Sequence, residues 1–329
     1  MKSCDVCGTF NLKENIFCTH CGSKILAENI CPFCGQKNPD SNEYCLNCNK
    51  QITPIAIDSF DVLFSEYNRE LIFNAEISLE IYSNILERIF KKLDYSKITG
   101  KTPKEMILQI ANVFTLVLPK SSGVVHGEIG NSVIYYDDRL DDSSQISAII
   151  HELAHFLLFD ISVNLLCEIL NVKASDTIKS FIDSFLINPK MELMNEYCAH
   201  TVENRFIPLK FQSFASFERC ALNFGNEFDY MIDYVKMGNT FAKHIIIYLE
   251  KYIDEKLRKL IKLQFKNDEK IANEVNSWDI DEYFSPEENT QMFIFLMAGY
   301  FDELYNNKEA RSELEYIKLN FESIKYIRI

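Results

Sequence analysis

Between Ser59 and Leu93 apolar side chains recur at helical spacing, Leu63, Tyr67, Leu71, Ile77, Ile81, Ile85 and Ile89 among them, so one long helix or two is expected there. Pro103 opens a further helical pattern over Lys104 to Phe114. The period then shortens: Thr115 to Leu118, Gly123 to His126 and Ser132 to Tyr136 are rich in β-formers and predict a small sheet. Asp142 and Gln145 suit a capping box for a helix starting near Ser143, with Ile146, Ile149, Ile150, Leu153, Phe156 and Leu157 as its apolar face. Leu165 to Val172 and Thr177 to Ile187 read as helical inserts. Asn188 and Pro189 then supply the cap and first position of another helix, with Pro208 as its limit. Beyond Pro208, Glu227 to Phe265, Pro286 to Asn306 and Lys308 to Tyr326 show mixed apolar and charged faces. The expected class is α+β, mostly helical with a small sheet.

The first 50 residues follow a different rule. Cys4-x2-Cys7-x10-Cys18-x2-Cys21 is followed by Cys31-x2-Cys34-x10-Cys45-x2-Cys48, two quartets of identical spacing. Four thiolates from two such knuckles enclose one tetrahedral zinc ion, and a closed site of this kind is structural. A 27-residue offset also maps Gly8 onto Gly35, Asn11 onto Asn38 and Phe17 onto Tyr44. The repeat resembles a double zinc ribbon. A disulfide framework is the alternative use of these cysteines, but no charged segment followed by an apolar one suggests secretion, so reduced thiolates in the cytoplasm are expected. Segments this small bury little core, and metal binding supplies much of their folding free energy. Cys167, Cys198 and Cys220 show no pairing pattern and read as small buried hydrophobes.

The sequence therefore divides into ribbons at 1–50, a linker at 51–58 and a main domain at 59–329. The catalytic core of that domain is expected at about 105–210, with a helical extension over 211–329. A hydrophobic content of 47% is ample for a packed interior. The net charge of −14 disfavours nucleic acid and anionic membrane, and residues 1–50 balance five lysines against five carboxylates before any zinc thiolate charge is added. Protein recognition is the role expected of the ribbons, with a cap or spacer as the plainer use. The best uninterrupted apolar segment, Gln291 to Phe301, has 11 uncharged residues, short of a membrane span.

Candidate chemistry centres on His151-Glu152-Leu153-Ala154-His155. On a helix a four-residue step rises about 6 Å and returns nearly to the same face, so both imidazoles can reach one zinc ion with Glu152 beside it. A catalytic zinc usually takes a third protein ligand. Glu192, Glu196, His200 and Glu203 recur along one stripe of the helix that follows Asn188, and Glu196 is the best candidate among them. His126, ahead of a proposed strand, and His244, followed by three isoleucines, are weaker candidates, and His244 reads as a packed or surface residue.

The stretch GEIGNSVIYYDDRLDDSSQISAIIHELAHFLLF, Gly127 to Phe159, resembles the strand, loop and active-site helix of the ImmA/IrrE-like intracellular metallopeptidases. EYCAHTVENRFIP, Glu196 to Pro208, is similar to their glutamate helix, and together the motifs fit the gluzincin pattern. The resemblance covers some 80 residues between 120 and 210. It implies one catalytic zinc held by His151, His155 and Glu196, with Glu152 as general base, besides the two structural ions. The interval from His155 to Glu196 is longer than such a family implies, and position 200 is His where many gluzincins place an acidic residue. His200 is therefore a candidate for stabilising an oxyanion, and the partner that orients a ligand imidazole is left open. Val133 to Tyr136 is the candidate edge strand for pairing an extended peptide, although an ordinary interior strand fits the same pattern. The expected function is cytoplasmic zinc-dependent hydrolysis of peptide bonds in a protein substrate. The competing expectation is a noncatalytic zinc-binding interaction or scaffold protein on a degenerate peptidase fold.

Overall fold

The computed structural model describes residues 2–3, 10–11, 29–30, 36–38, 42, 44–47, 55–92, 98–120, 127–130, 133–223, 228–268 and 285–324. The chain divides into two compact units, Met1–Ala56 with Asn171–Lys173, and Ile57–Leu170 with Ala174–Ile329.

In the first unit, β1 (Lys2–Ser3) pairs antiparallel with β2 (Phe10–Asn11), and β3 (Asn29–Ile30) with β4 (Lys37–Asn38). Lys2 faces Asn11 and Asn29 faces Asn38, so the strand register repeats at the same 27-residue offset as the cysteines. Each pair of strands flanks one Cys-x2-Cys in the sequence. A short strand β5, Ile55–Ala56, lies within the expected linker and pairs in parallel with Val172–Lys173.

The second unit begins with three helices where one or two were expected: α1 (Phe60–Leu63), α2 (Glu66–Phe73) and α3 (Leu79–Phe90). Three serines explain the breaks. Ser59, Ser65 and Ser78 each accept a hydrogen bond from the backbone N–H three residues on, so each caps a new helix despite the continuous apolar repeat. Helix α4 (Pro103–Phe114) carries a reciprocal capping box between Thr102 and Glu105.

Strands β6 (Leu116–Pro119), β7 (Gly127–Gly130) and β8 (Val133–Tyr136) form a sheet in the order β6, β8, β7. This corrects the assignment of Val133–Tyr136 as an edge strand. It is the middle strand, parallel to β6 and antiparallel to β7, and both of its hydrogen-bonding sides are occupied. Val133 and Ile134 are fully buried, as a middle strand requires. The strand expected at Gly123–His126 lies outside the described residues, as does His126.

Helix α5 runs from Asp142 to Leu170. Its cap is Asp141 rather than Asp142: Asp141 Oδ1 accepts from the Ser144 N–H at 2.9 Å, while Gln145 turns back to donate to the Leu140 carbonyl at 2.5 Å. The insert expected at Leu165–Val172 is the continuation of this helix, which stops before Asn171 at φ 52°, a left-handed conformation suited to a helix end. By length and composition α5 is apolar enough to cross a membrane. The expectation that no segment reaches that length counted unbroken runs, and Glu152 and Asp160 interrupt this one. Burial accounts for its apolar circumference, because α2, α3, α4 and the sheet pack around it, as do α6 (Asp176–Leu186) and α7 (Pro189–Phe206).

Asn188 accepts from the Lys190 N–H and caps α7, with Pro189 at the first position. Helix α8 (Ala215–Asn223) follows, then α9 (Phe228–Leu249) and α10 (Glu255–Asn267). The helical stretch expected over Glu227–Phe265 is these two helices, the second started by Asp254, which accepts from the Leu257 N–H at 2.8 Å. Helices α11 (Pro286–Asn306) and α12 (Arg311–Ile324) complete the unit. Phe64, Phe181, Phe185, Phe241, Phe293 and Phe301 interlock in its core, Phe64 and Phe301 with ring centroids 4.8 Å apart. Burial of each such side chain contributes about 1.5–3 kcal/mol. Gly238 of α9 lets α9 approach α7 closely, since a Cβ there would meet the Met194 carbonyl oxygen at 2.7 Å.

Candidate metal centre

Helix α5 presents His151 and His155 on one face, one turn apart, and α7 packs against that face with Glu196. The Nε2 atoms of His151 and His155 are 3.1 Å apart. Glu196 Oε2 lies 3.4 Å from His151 Nε2, and Glu196 Oε1 lies 3.7 Å from His155 Nε2. Tetrahedral zinc with bonds of about 2.0–2.2 Å spaces its ligand atoms by about 3.3–3.6 Å. The 3.4 Å separation falls in that range and the 3.1 and 3.7 Å separations lie within about 0.2 Å of it, so the donor set fits a zinc ion in chemistry and, after a small side-chain adjustment, in spacing. His151, Glu196 and His200 also offer ligand atoms within 4.8 Å of one another, an overlapping set that shares two of the three residues. The set with His155 is the tighter one.

The far nitrogens of the two imidazoles are held as a metal ligand needs. His151 Nδ1 lies 3.1 Å from Glu203 Oε2, and His155 Nδ1 lies 2.7 Å from Asn195 Oδ1. Glu203 thus occupies the orienting role left open by the histidine at position 200. Ser147, one turn before His151, donates to the other oxygen of Glu203. His200 is buried, with Nδ1 3.2 Å from Glu203 Oε2 and Nε2 2.6 Å from Ser216 Oγ, so both ring nitrogens are engaged. Ser216 in turn donates to Glu196 Oε2. Glu192, on the same stripe of α7, is exposed.

Electrostatics separates the carboxylates. Burial pushes Glu152 above its ordinary value, against the pull of His155 and His151. Burial also opposes ionisation of Glu196, but His155, His151 and the Ser216 hydroxyl outweigh it and hold the group well below the usual carboxylate range. Glu203 is likewise desolvated, yet hydrogen bonds with His151 and His200 lower it to about 2. For His151, burial works against the charged form and is overcome by hydrogen bonds with Glu196 and Glu203, which raise it well above its ordinary value. The centre thus holds two carboxylates fixed as anions and one, Glu152, with raised proton affinity.

Sequence reasoning placed His151, Glu152, His155, Glu196 and His200 together, and the structure gathers all five. It missed Asn195, Ser147 and Ser216, and placed Glu203 only as an alternative ligand. Ser147 was visible in principle, four residues before His151 on the same face. Ser216, on a helix that the pattern did not predict, left no signal.

In the ribbon segment, Cys4, Cys7, Cys18, Cys21, Cys31, Cys34 and Cys48 lie outside the described residues. Cys45 is described and buried. Its Sγ accepts from the Asn47 N–H at 3.4 Å and from Asn38 Nδ2 at 3.6 Å, contacts that suit a ligand thiolate. Of the other cysteines, Cys198 and Cys220 are buried and Cys167 is partly so. Burial pushes the Cys167 thiol up to about 12.

Residues 4–49 match the family model for the double zinc ribbon. The match supports a zinc ribbon at the N-terminus and implies structural zinc there. No curated protein and no solved structure matches the chain.

Proposed function

We propose that the chain is a zinc-dependent peptidase that cleaves a protein substrate, with the ribbon segment serving protein recognition. What supports the reading above all is the convergence of His151 Nε2, His155 Nε2 and the Glu196 carboxylate from two helices, at spacings that suit one zinc ion. Those three residues would hold the ion. When bound, zinc supplies Lewis acidity toward a scissile carbonyl and toward a water. Glu152, on the next position of the same helix and raised in proton affinity by burial, is suited to take the proton of that water and pass it to the leaving amine. Glu203 and Asn195 hold the imidazoles so that each Nε2 faces the centre. Reduced thiolates in the ribbons suit the cytoplasm, and the net charge of −14 disfavours nucleic acid as a partner.

The test is Glu152→Gln, followed by zinc content and by the protein N-termini of cells carrying either form. The proposal expects unchanged zinc and the loss of a set of termini present with the wild type. A fully active Glu152→Gln protein sinks it. Identical termini with retained zinc would put in its place the noncatalytic zinc-binding scaffold.

A further inference from the structure

Helix α8 contributes none of the proposed ligands, yet Ser216, its second residue, reaches the centre. Its hydroxyl donates to Glu196 Oε2 and lies 2.6 Å from His200 Nε2. His200 Nδ1 is 3.2 Å from Glu203 Oε2, which is 3.1 Å from His151 Nδ1, and His151 Nε2 is 3.4 Å from Glu196 Oε2. The contacts close a ring through Ser216, His200, Glu203, His151 and Glu196, drawn from α5, α7 and α8. The order Ser, His, Glu is that of a nucleophile and its base. Here, however, the single hydroxyl proton is directed to Glu196, so Ser216 serves as a fixed donor to a carboxylate.

We infer that Ser216 is a positioning residue for the metal centre: its hydroxyl fixes the Glu196 carboxylate for the metal, and His200, anchored by Glu203, holds that hydroxyl in place. The inference rests on the zinc-peptidase reading. A glutamate side chain turns about three bonds, and a ligand locked before the metal arrives loses less freedom on binding. Glu203 ties the two halves together, because it orients the imidazole of His151 and the anchor of Ser216 with the same oxygen. Removing the hydroxyl leaves all three ligands present and unties one of them.

The experiment uses the full chain as wild type, Ser216→Ala, Ser216→Thr and the His151→Ala/His155→Ala double variant, each equilibrated in a series of zinc buffers. Zinc per chain is counted by elemental analysis and the fold is checked by circular dichroism. The zinc that distinguishes wild type from the double variant is the site zinc. Ser216→Ala is expected to release it at about 10- to 100-fold higher free zinc than wild type, with unchanged dichroism, and Ser216→Thr to restore wild-type retention. Wild-type retention by Ser216→Ala overturns the inference, as does a loss in Ser216→Thr equal to that in Ser216→Ala. If the double variant holds as much zinc as wild type, the peptidase-site reading itself fails, and the inference with it.

Discussion

His155 Nδ1 lies 2.7 Å from the side-chain oxygen of Asn195, the residue immediately before Glu196 on α7. Two consecutive positions of one helix therefore serve the same imidazole from opposite sides, Asn195 at Nδ1 and Glu196 at Nε2. Asn195→Ala is expected to weaken zinc binding at the centre by about 10- to 100-fold, and Asn195→Asp, which keeps the acceptor, to stay near wild type. Competition with a chromogenic chelator measures both. Equal affinity in wild type and Asn195→Ala would remove the orienting role.

The crossing of α7 and α9 depends on Gly238. An added methyl would meet the Met194 carbonyl oxygen at 2.7 Å and the Tyr197 ring at 3.1 Å, and the backbone oxygen has little room to yield. Gly238→Ala is expected to cost about 1–3 kcal/mol, read as a lower urea midpoint at unchanged slope. Because Met194 lies two residues before Glu196, the same variant should bind site zinc more weakly. A midpoint equal to wild type would show that the helices separate freely.

How much of this was legible in the sequence follows from the range over which each signal acts. His151 and His155 share a face by helical geometry alone, and Asn188 with Pro189 marked the start of α7 from local chemistry. The positions at which helices broke were harder to see, because the serines at 59, 65 and 78 and Asp254 cap helices inside stretches whose apolar period runs on unbroken. Strand order was not legible for Val133–Tyr136, since a middle strand and a half-buried edge strand of four residues read alike. Ser216 reaches Glu196 only through tertiary packing of α8 against α7, a relationship with no counterpart in spacing.

His244 offers a test by pH. Its ring packs on Tyr82 with Nδ1 3.2 Å from the tyrosine hydroxyl, and burial lowers its pKa to about 4. The unfolded chain binds the proton near the ordinary value of about 6.5, so stability from neutral His244 is full above that pH and is lost as pH falls toward 4. The loss approaches about 3 kcal/mol. His244→Gln keeps a polar partner for Tyr82 and does not ionise, so urea midpoints of wild type and variant should diverge between pH 6.5 and 4, with wild type falling faster. Parallel curves would show that the imidazole titrates alike in both states.

The ribbon repeat predicts independent metal sites. Cys45→Ser removes a sulfur that accepts N–H bonds from Asn47 and Asn38, and zinc per chain should fall by one. The hairpin of Lys2–Ser3 with Phe10–Asn11 should keep its amide protection in hydrogen exchange. A fall by two would mean that the repeats fold as one unit.

The proposed ligands come from α5 and α7, so the centre exists only while those helices are packed together. An ion that binds there and ignores the unfolded chain adds about 2.7 kcal/mol of stability when free metal stands at a hundred times its dissociation constant, and almost nothing when it is scarce. Zinc supply would then set the protein's lifetime as well as the activity proposed for it. In a starved cell the metal-free molecules would also be the first to open and be degraded, and abundance would follow the metal without any change in synthesis.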